Sequence, residues 1–208
     1  DLVRSRGLGD VYKRQGPPHT RHGVTGGRVE DQLDTIADVS RRLDELGVPY
    51  MLTGSVAMTH YAEPRMTRDI DLVLELAPEG VDALVQEFSG DYYVDAGAVE
   101  EAVRLSSMFN LVHLSNAVKV DCIIRKATEY RRVEFERRRP AEMGGVPTYV
   151  VSREDLILSK LAWARDSHSE MQLRDVANLM RGEYDREYVD RWKDALGVGA
   201  LLEELGHG

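Results

Sequence analysis

Alternating apolar and polar side chains mark the segment from residue 69 to residue 76. Isoleucine or leucine stands at every even position, while Asp69, Asp71 and Glu75 stand at odd ones. Successive side chains of a β-strand point to opposite faces of the sheet. The pattern therefore predicts a half-buried strand with two aspartates on its polar face.

A strand, a turn and a short helix are predicted just before this segment. Residues 50–53 form a short apolar run, and Gly54-Ser55 supplies a turn after it. A helix over 56–63 should end at Pro64, because proline cannot continue a helical hydrogen-bond ladder.

The rest of the chain combines strands with helices. Residues 31–46 show a helical period that ends at Gly47, and residues from Ser152 onward are predicted to be helical throughout, with Ser152 as the N-cap. Further helices are predicted at 79–88, 97–106, 172–180, 186–196 and 200–205, further strands at 92–95, 110–114, 119–124 and 148–151, and a helical or mixed stretch at 127–138. The fold class is therefore α+β, with a mixed β-sheet, flanking helices and a helical C-terminal subdomain.

Three regions follow from this pattern. Residues 1–28 have no apolar period and contain Gly-Pro-Pro and Gly-Gly, which predicts a disordered tail; part of it also resembles translated adapter DNA, which would make it an artefact. Residues 29–151 are predicted to form the main domain, and residues 152–208 the helical subdomain.

Composition narrows the class of protein. The chain has 208 residues and a formal charge of −9, which argues against a protein that coats nucleic acid by charge alone. No apolar run approaches the roughly 18 residues that span a bilayer, so no membrane association is expected. The single cysteine, Cys122, stands in an apolar run and is expected to be buried, and a reducing cytoplasm fits it.

Candidate chemistry begins with the carboxylates of Asp69 and Asp71. Residues two apart on a strand project from the same face, about 7 Å apart at the backbone, so they could share two Mg²⁺ ions in phosphoryl or nucleotidyl transfer. The alternative is the solvated edge of an amphipathic strand. Asp121 would join them if its strand lay next to theirs, and otherwise it would pair with Lys119 or a nearby arginine at the surface.

Basic and small residues beside the acidic strand allow two interpretations each. Gly54-Ser55 could present backbone N–H groups to a phosphate, or could be a tight turn with a serine N-cap. Arg65 and Arg68 could clamp phosphate or balance the carboxylates. Lys160 falls inside the apolar stripe of its helix, where it could snorkel to solvent, contact phosphate, or pair with a carboxylate such as Asp175.

A resemblance can be stated on these residues. The segment from Gly54-Ser55 to Arg68-Asp69-Ile70-Asp71 resembles the signature of the polymerase beta-type nucleotidyltransferase superfamily. Within that superfamily, residues from about 31 to 205 are similar to small proteins related to the abortive-infection (AbiEii-like) toxin nucleotidyltransferases. The segments around Lys160 and Arg174-Asp175 also resemble motifs of those relatives.

The resemblance implies a nucleotidyltransferase fold and specific roles. Gly54 and Ser55 would form the triphosphate loop, Asp69 and Asp71 would bind metal, and Asp121 would be a third metal-binding carboxylate that helps to activate the acceptor. It implies two Mg²⁺ ions, with Mn²⁺ as a substitute, and transfer of a nucleoside monophosphate from a nucleoside triphosphate to a hydroxyl, with release of pyrophosphate.

Acceptor and partners stay open at this point. The acceptor could be RNA such as tRNA, a protein or a small molecule, and the chain could be a toxin with a cognate antitoxin. The alternative class is a non-catalytic nucleotide-binding or antitoxin module on the same fold. A candidate RNA contact is the cluster Arg131, Arg132, Arg137, Arg138 and Arg139, which could equally be a solvated helix face.

Overall fold

The computed structural model describes residues 26–63, 67 and 69–206. These residues form nine α-helices and seven β-strands. The helices are α1 (Gly26–Glu45), α2 (Gly54–Met58), α3 (Val81–Phe88), α4 (Ala96–Leu105), α5 (Glu129–Glu136), α6 (Arg153–Ser167), α7 (Glu170–Leu179), α8 (Arg186–Lys193) and α9 (Gly199–Gly206). The strands are β1 (Tyr50–Thr53), β2 (Asp69–Leu74), β3 (Tyr92–Tyr93), β4 (Met108–His113), β5 (Lys119–Ile124), β6 (Arg139–Met143) and β7 (Val146–Val150).

All seven strands belong to one mixed sheet, in the order β3-β4-β5-β2-β1-β7-β6. The central pair, β2 and β5, is parallel, and β1 runs antiparallel to β2 and parallel to β7. The remaining neighbours are antiparallel: β4–β5 and β6–β7 are hairpins, and β3 and β4 are connected through α4. This arrangement confirms the predicted α+β class with a mixed sheet and flanking helices.

Helices α1 and α2 differ in extent from the sequence prediction in ways that bear on the predicted tail and on the turn at Gly54, and α8 ends at Lys193 instead of residue 196. Helix α1 already begins at Gly26, so the last three residues of the predicted tail are helical, while residues 1–25 lie outside the described part of the chain. Helix α2 begins at Gly54 and ends at Met58, and the chain turns at 59–62 instead of continuing the helix to residue 63. Strand β1 therefore passes directly into α2, with no loop between them.

Strand β6 is absent from the sequence prediction. Its residues include three charged or proline positions, which are uncommon in strands, and the strand lies at the edge of the sheet, where proline is tolerated. The hairpin to β7 turns at Gly144 and Gly145, whose φ angles are 61° and 86°. Two consecutive positive φ values are what a two-residue hairpin loop requires, so this Gly-Gly pair was the available signal.

The hydrophobic core joins the sheet to the C-terminal helices. Leu52, Ile70 and Val120 on the central strands are at most 1% exposed, as are Leu156 and Ile157 on α6. These residues belong to one continuous cluster. The division at residue 152 stays a prediction, and the helices that follow it share the core of the preceding domain.

The start of α6 is fixed by a buried polar group. Ser152 is the N-cap, as predicted, and its Oγ accepts a hydrogen bond from the Asp155 backbone N–H at 3.2 Å. The fully buried Asp155 carboxylate accepts hydrogen bonds from Arg137 Nε at 3.0 Å and from Tyr188 Oη at 2.7 Å. One carboxylate thus ties the segment after α5, the start of α6 and α8 together.

None of the described helices combines the length and the apolar character that crossing a bilayer would require.

Candidate active site

The two predicted acidic segments lie side by side at the centre of the sheet. Strands β2 and β5 are parallel neighbours in which Asp71 pairs with Asp121 and Asp69 pairs with Lys119. Neighbouring strands lie about 4.8 Å apart, so the Asp71 and Asp121 carboxylates emerge next to each other. The condition that the sequence set for Asp121, a strand adjacent to that of Asp69, is met.

Gly54 is held against Asp71 by the turn from β1 into α2. Thr53 pairs with Asp71 across β1 and β2, and Gly54 follows with a φ of +63°. A Cβ atom at position 54 would lie 2.0 Å from Asp71 Oδ2, which is far inside van der Waals contact. Glycine is therefore required twice here, for its backbone conformation and for the approach of the carboxylate.

The serine-cap interpretation of this turn is wrong. The residue that caps α2 is Thr53, which makes no side-chain capping bond, and Ser55 lies inside the helix with 7% of its surface exposed. Ser55 nevertheless stays next to Gly54 at the start of the helix, beside the carboxylates. Arg65 and Arg68 lie outside the described residues, so their predicted phosphate contacts stay predictions.

The carboxylates on this face repel one another. Burial raises the pKa of Asp71 to about 6, and the negative charges of Asp121 and Asp69 add to the rise, while the charges of Lys160 and Lys119 oppose it. A cation at this position would remove the cost of ionising Asp71. The ionised form of Asp71 would thus be stabilised by a positive partner.

Asp121 already has positive and polar partners. Lys119 Nζ lies 3.0 Å from Asp121 Oδ1, and Asn110 Nδ2 on β4 donates a hydrogen bond to the same oxygen. Asp121 thus lies beside Asp71 and also pairs with Lys119, although it is buried and not at the surface, and its metal-binding role stays a prediction. Asn110 was not among the predicted site residues. The available signal was an amide side chain inside a mostly apolar strand.

The acidic face offers a small set of oxygen donors for a metal ion. Among residues 26–63, 67 and 69–206, no three histidine, cysteine, aspartate or glutamate side chains are grouped so that they could hold one. Asp121 is engaged by Lys119 and Asn110, which leaves Asp69 and Asp71 as an oxygen-donor pair two residues apart on one strand face. Carboxylate oxygens are the ligands that Mg²⁺ takes, and one or two of them suffice when phosphates supply others. The residues present fit such an ion at Asp69 and Asp71.

Lys160 is buried rather than snorkelling to solvent. Only 3% of its surface is exposed, and Nζ lies 2.7 Å from Asp175 Oδ2 and 3.1 Å from Gln172 Oε1. The predicted pairing with Asp175 is confirmed. Its charge also lowers the pKa of Asp71, which places the α6–α7 pair within electrostatic reach of the carboxylates.

The arginine cluster is mostly used inside the protein. Arg131 pairs with Glu134 at 2.7 Å, Arg137 pairs with Glu154 and Asp155 at 3.0 Å, and the Arg138 guanidinium lies 4.5 Å from the centre of the Phe135 ring. The Arg137 pairs join the end of α5 to α6, whereas the Arg131 and Arg138 contacts lie within or just after α5. Arg132 and Arg139 are exposed, so the RNA contact stays a prediction.

Cys122 and His113 have structural roles. Cys122 is 1% exposed, and burial raises the pKa of its thiol well above the ordinary range. Such a thiol is a poor nucleophile. His113 packs edge-on against Tyr92, and its ring centre lies 4.8 Å from that of the tyrosine.

No model of a known protein family matches the sequence, and no curated protein matches it either. Solved structures do match. The antibiotic-resistance factor ANT(2'')-Ia has a TM-score of 0.55 and 16% identity, and the alignment covers 86% of this chain and 98% of that one. The chain has the nucleotidyltransferase fold.

Two further structures with this fold agree. An antigenic nucleotidyltransferase-like protein from Paracoccidioides brasiliensis gives a TM-score of 0.50 at 19% identity, covering 73% of this chain and 76% of that one. A candidate nucleotidyltransferase from Thermotoga maritima gives a TM-score of 0.50 at 16% identity, covering 70% and 92%. At these identities the likeness establishes the nucleotidyltransferase fold, while the chemistry has to be argued from the site.

Proposed function

We propose that the chain is a metal-dependent nucleotidyltransferase that moves a nucleoside monophosphate from a nucleoside triphosphate to a hydroxyl group and releases pyrophosphate. The observation that carries the proposal is the close approach of Gly54, which follows β1, to Asp71 on β2, with Asp121 beside Asp71 on β5. Three strands converge there on a glycine turn and two carboxylates, in the nucleotidyltransferase fold.

Each residue has a definable task in this reaction. Asp69 and Asp71 would hold a Mg²⁺ ion, for which Mn²⁺ could substitute; the ion would neutralise triphosphate charge and favour attack on the α-phosphorus. The turn at Gly54-Ser55 would let the triphosphate approach the backbone. Asp121 would orient the acceptor hydroxyl and receive its proton. The positive charge of Lys160 would favour the ionised form of Asp71.

The acceptor is proposed to be a small molecule or a protein hydroxyl in preference to RNA. The chain carries a formal charge of −9, and Arg131 and Arg137 of the arginine cluster are engaged in internal ion pairs. Nucleic acid binding draws most of its affinity from basic groups facing phosphates. A tRNA acceptor and a toxin role with a cognate antitoxin stay as alternatives that the assay must include.

The test is an untargeted transfer assay. Purified protein is incubated with Mg²⁺ and each of the four α-labelled nucleoside triphosphates, together with total RNA, lysate protein or a metabolite extract. We expect label in one acceptor pool, and we expect Asp69→Asn and Asp71→Asn each to reduce transfer at least a hundredfold while the proteins stay folded. Transfer that survives both substitutions would refute the assignment.

A non-catalytic binding module is the second candidate, and the partners already present at Asp121 are the observation that favours it. Calorimetry separates the two. An enzyme should bind Mg²⁺ and triphosphate together and lose that binding in Asp71→Asn. If neither the unmodified chain nor any variant binds Mg²⁺ and triphosphate together, the enzyme assignment fails and the binding module is favoured.

A further inference from the structure

Asp69, Asp71 and Asp121 form an acidic row on β2 and β5, and Lys119 lies beside them as a counter-ion. Lys119 lies two residues before Asp121 on β5, so the two side chains share one face of the strand. In the strand register it lies opposite Asp69 on β2. Its ammonium is 3.0 Å from Asp121 Oδ1. Its positive charge also acts on Asp69 and Asp71, the other two members of the row.

The Lys119 side chain is exposed enough to adopt rotamers that do not contact Asp121. The Lys119 side chain is 39% exposed, whereas that of Asp121 is 13% exposed. A half-exposed lysine can keep its ammonium in water, so its position on a largely buried carboxylate reflects the attraction of the acidic row. Asn110 fixes the same Asp121 oxygen from the other side, which holds the carboxylate in one orientation.

We infer that the Lys119 ammonium is the resident cation at Asp121, so that the site takes a single divalent ion, at Asp69 and Asp71, in place of two. This inference rests on the proposed function. An ammonium and a divalent ion compete for the same carboxylate, because each must replace water in the coordination of its oxygens. With Oδ1 held by Lys119 and Asn110, Asp121 keeps its other oxygen for the acceptor hydroxyl. Lys119 is thus a positioning residue for Asp121.

Lys119→Gln is the informative change. It removes the charge, keeps a polar side chain of similar length, and exposes Asp121 to a second ion. Lys119→Arg keeps the positive charge. Lys126→Gln removes an exposed lysine two residues beyond β5 and serves as the matched control for a change in net charge.

The measurement is the number of Mn²⁺ ions bound by the full chain with no nucleotide present, followed by the electron paramagnetic resonance signal of free Mn²⁺. We expect one ion per chain in the unmodified protein, in Lys119→Arg and in Lys126→Gln. We expect two in Lys119→Gln, with the first bound about tenfold more tightly because one positive charge has left the site. Asp121→Asn in the unmodified background should still bind one ion.

Melting temperatures in the same Mn²⁺ series give a second measurement. Added Mn²⁺ should raise the melting temperature of Lys119→Gln more than that of Lys126→Gln. Two ions in the unmodified chain, or identical counts and affinities in Lys119→Gln and Lys126→Gln, would overturn the role of Lys119 and leave the nucleotidyltransferase proposal standing. No ion bound by any of these proteins would overturn both.

Discussion

At position 54 a side chain of any size would meet the carboxylate of Asp71. We expect Gly54→Ala to cost about 3 kcal/mol of unfolding free energy, from its positive φ together with the 2.0 Å contact. Because Asp71 must move to make room, divalent-ion binding should weaken at least tenfold. Chemical denaturation and calorimetry with Mn²⁺ measure the two effects.

Gly47 provides the matched control. Its φ is +65°, but nothing lies within 4 Å of a Cβ placed there. Gly47→Ala should therefore cost only the backbone term, about 1 kcal/mol, and leave ion binding unchanged. Equal losses in the two variants would show that contact with Asp71 contributes nothing.

Asp71 also makes stability depend on pH. Its ordinary pKa of 3.8 applies to the unfolded chain, and the folded value is about 6, so the folded state binds the proton more tightly. Without divalent ions, this carboxyl should therefore reduce stability as pH rises from about 4 to about 6, with the full loss present above pH 6. Asp71→Asn should be more stable than the unmodified chain by about 1–2 kcal/mol at about pH 7.5.

The gain in Asp71→Asn should shrink to well under about 1 kcal/mol near pH 4, where the folded carboxyl is protonated and the unfolded one is about half protonated. Denaturation at the two pH values tests this, and a gain of the same size at both would contradict it. Mg²⁺ affinity of the unmodified chain should rise as pH increases through about 6, because binding requires the ionised carboxylate.

Among the helices, α6 and α7 are joined by the pair of Lys160 with Asp175. Both side chains are at most 5% exposed, so removing one partner leaves the other charge in the core. Lys160→Met should cost about 3 kcal/mol or more, and combining it with Asp175→Leu should recover part of the loss. A double-mutant cycle by denaturation measures the coupling; additive losses would show that the pair is not coupled.

The elements that sequence predicted well are those whose pattern is local. Strand β2 was recognised from its alternation and β5 within the same bounds, because both lie in the core with one face apolar. Strand β6 was not predicted, because its charged and proline residues suit the exposed edge of the sheet and give no alternation of buried apolar side chains. Asp121 could be placed only conditionally, since strand neighbours are decided by the whole sheet. Asn110 became visible as part of the site only once β4 was placed beside β5.

Ion pairs, like strand neighbours, depend on the whole fold and cannot be predicted from a local segment alone. Five arginines in a short segment predicted an RNA contact or a solvated helix face, yet three of them contact acidic or aromatic groups of the folded protein, and Arg137 reaches Asp155 on the next helix. Lys160 was better predicted, because a lysine inside an apolar stripe already implies a buried partner. Charge counted along the chain does not reveal which charges are neutralised by folding.

For the whole molecule, the shared core predicts a single unfolding unit. Leu156, Ile157 and Leu161 on α6 are at most 1% exposed and pack with the strands. A chain ending at residue 151 would expose this face of the sheet and should not reach a native fold. We expect one coincident thermal transition by near- and far-UV circular dichroism for the full chain; two separate transitions would indicate independent domains.

The parallel pairing of β2 with β5 has a consequence for the order of events during synthesis. Parallel neighbours require a long crossover, and here α3, β3, α4 and β4 all lie between the two strands along the chain. The ribosome must therefore release β5 before Asp71 and Asp121 can meet, and β7 must follow before β1 gains its parallel partner. Long-range pairs of this kind form slowly. An incomplete nascent chain would hold the Gly54 turn and both aspartates of β2 without a working centre, so the proposed activity would begin only when most of the polypeptide had emerged.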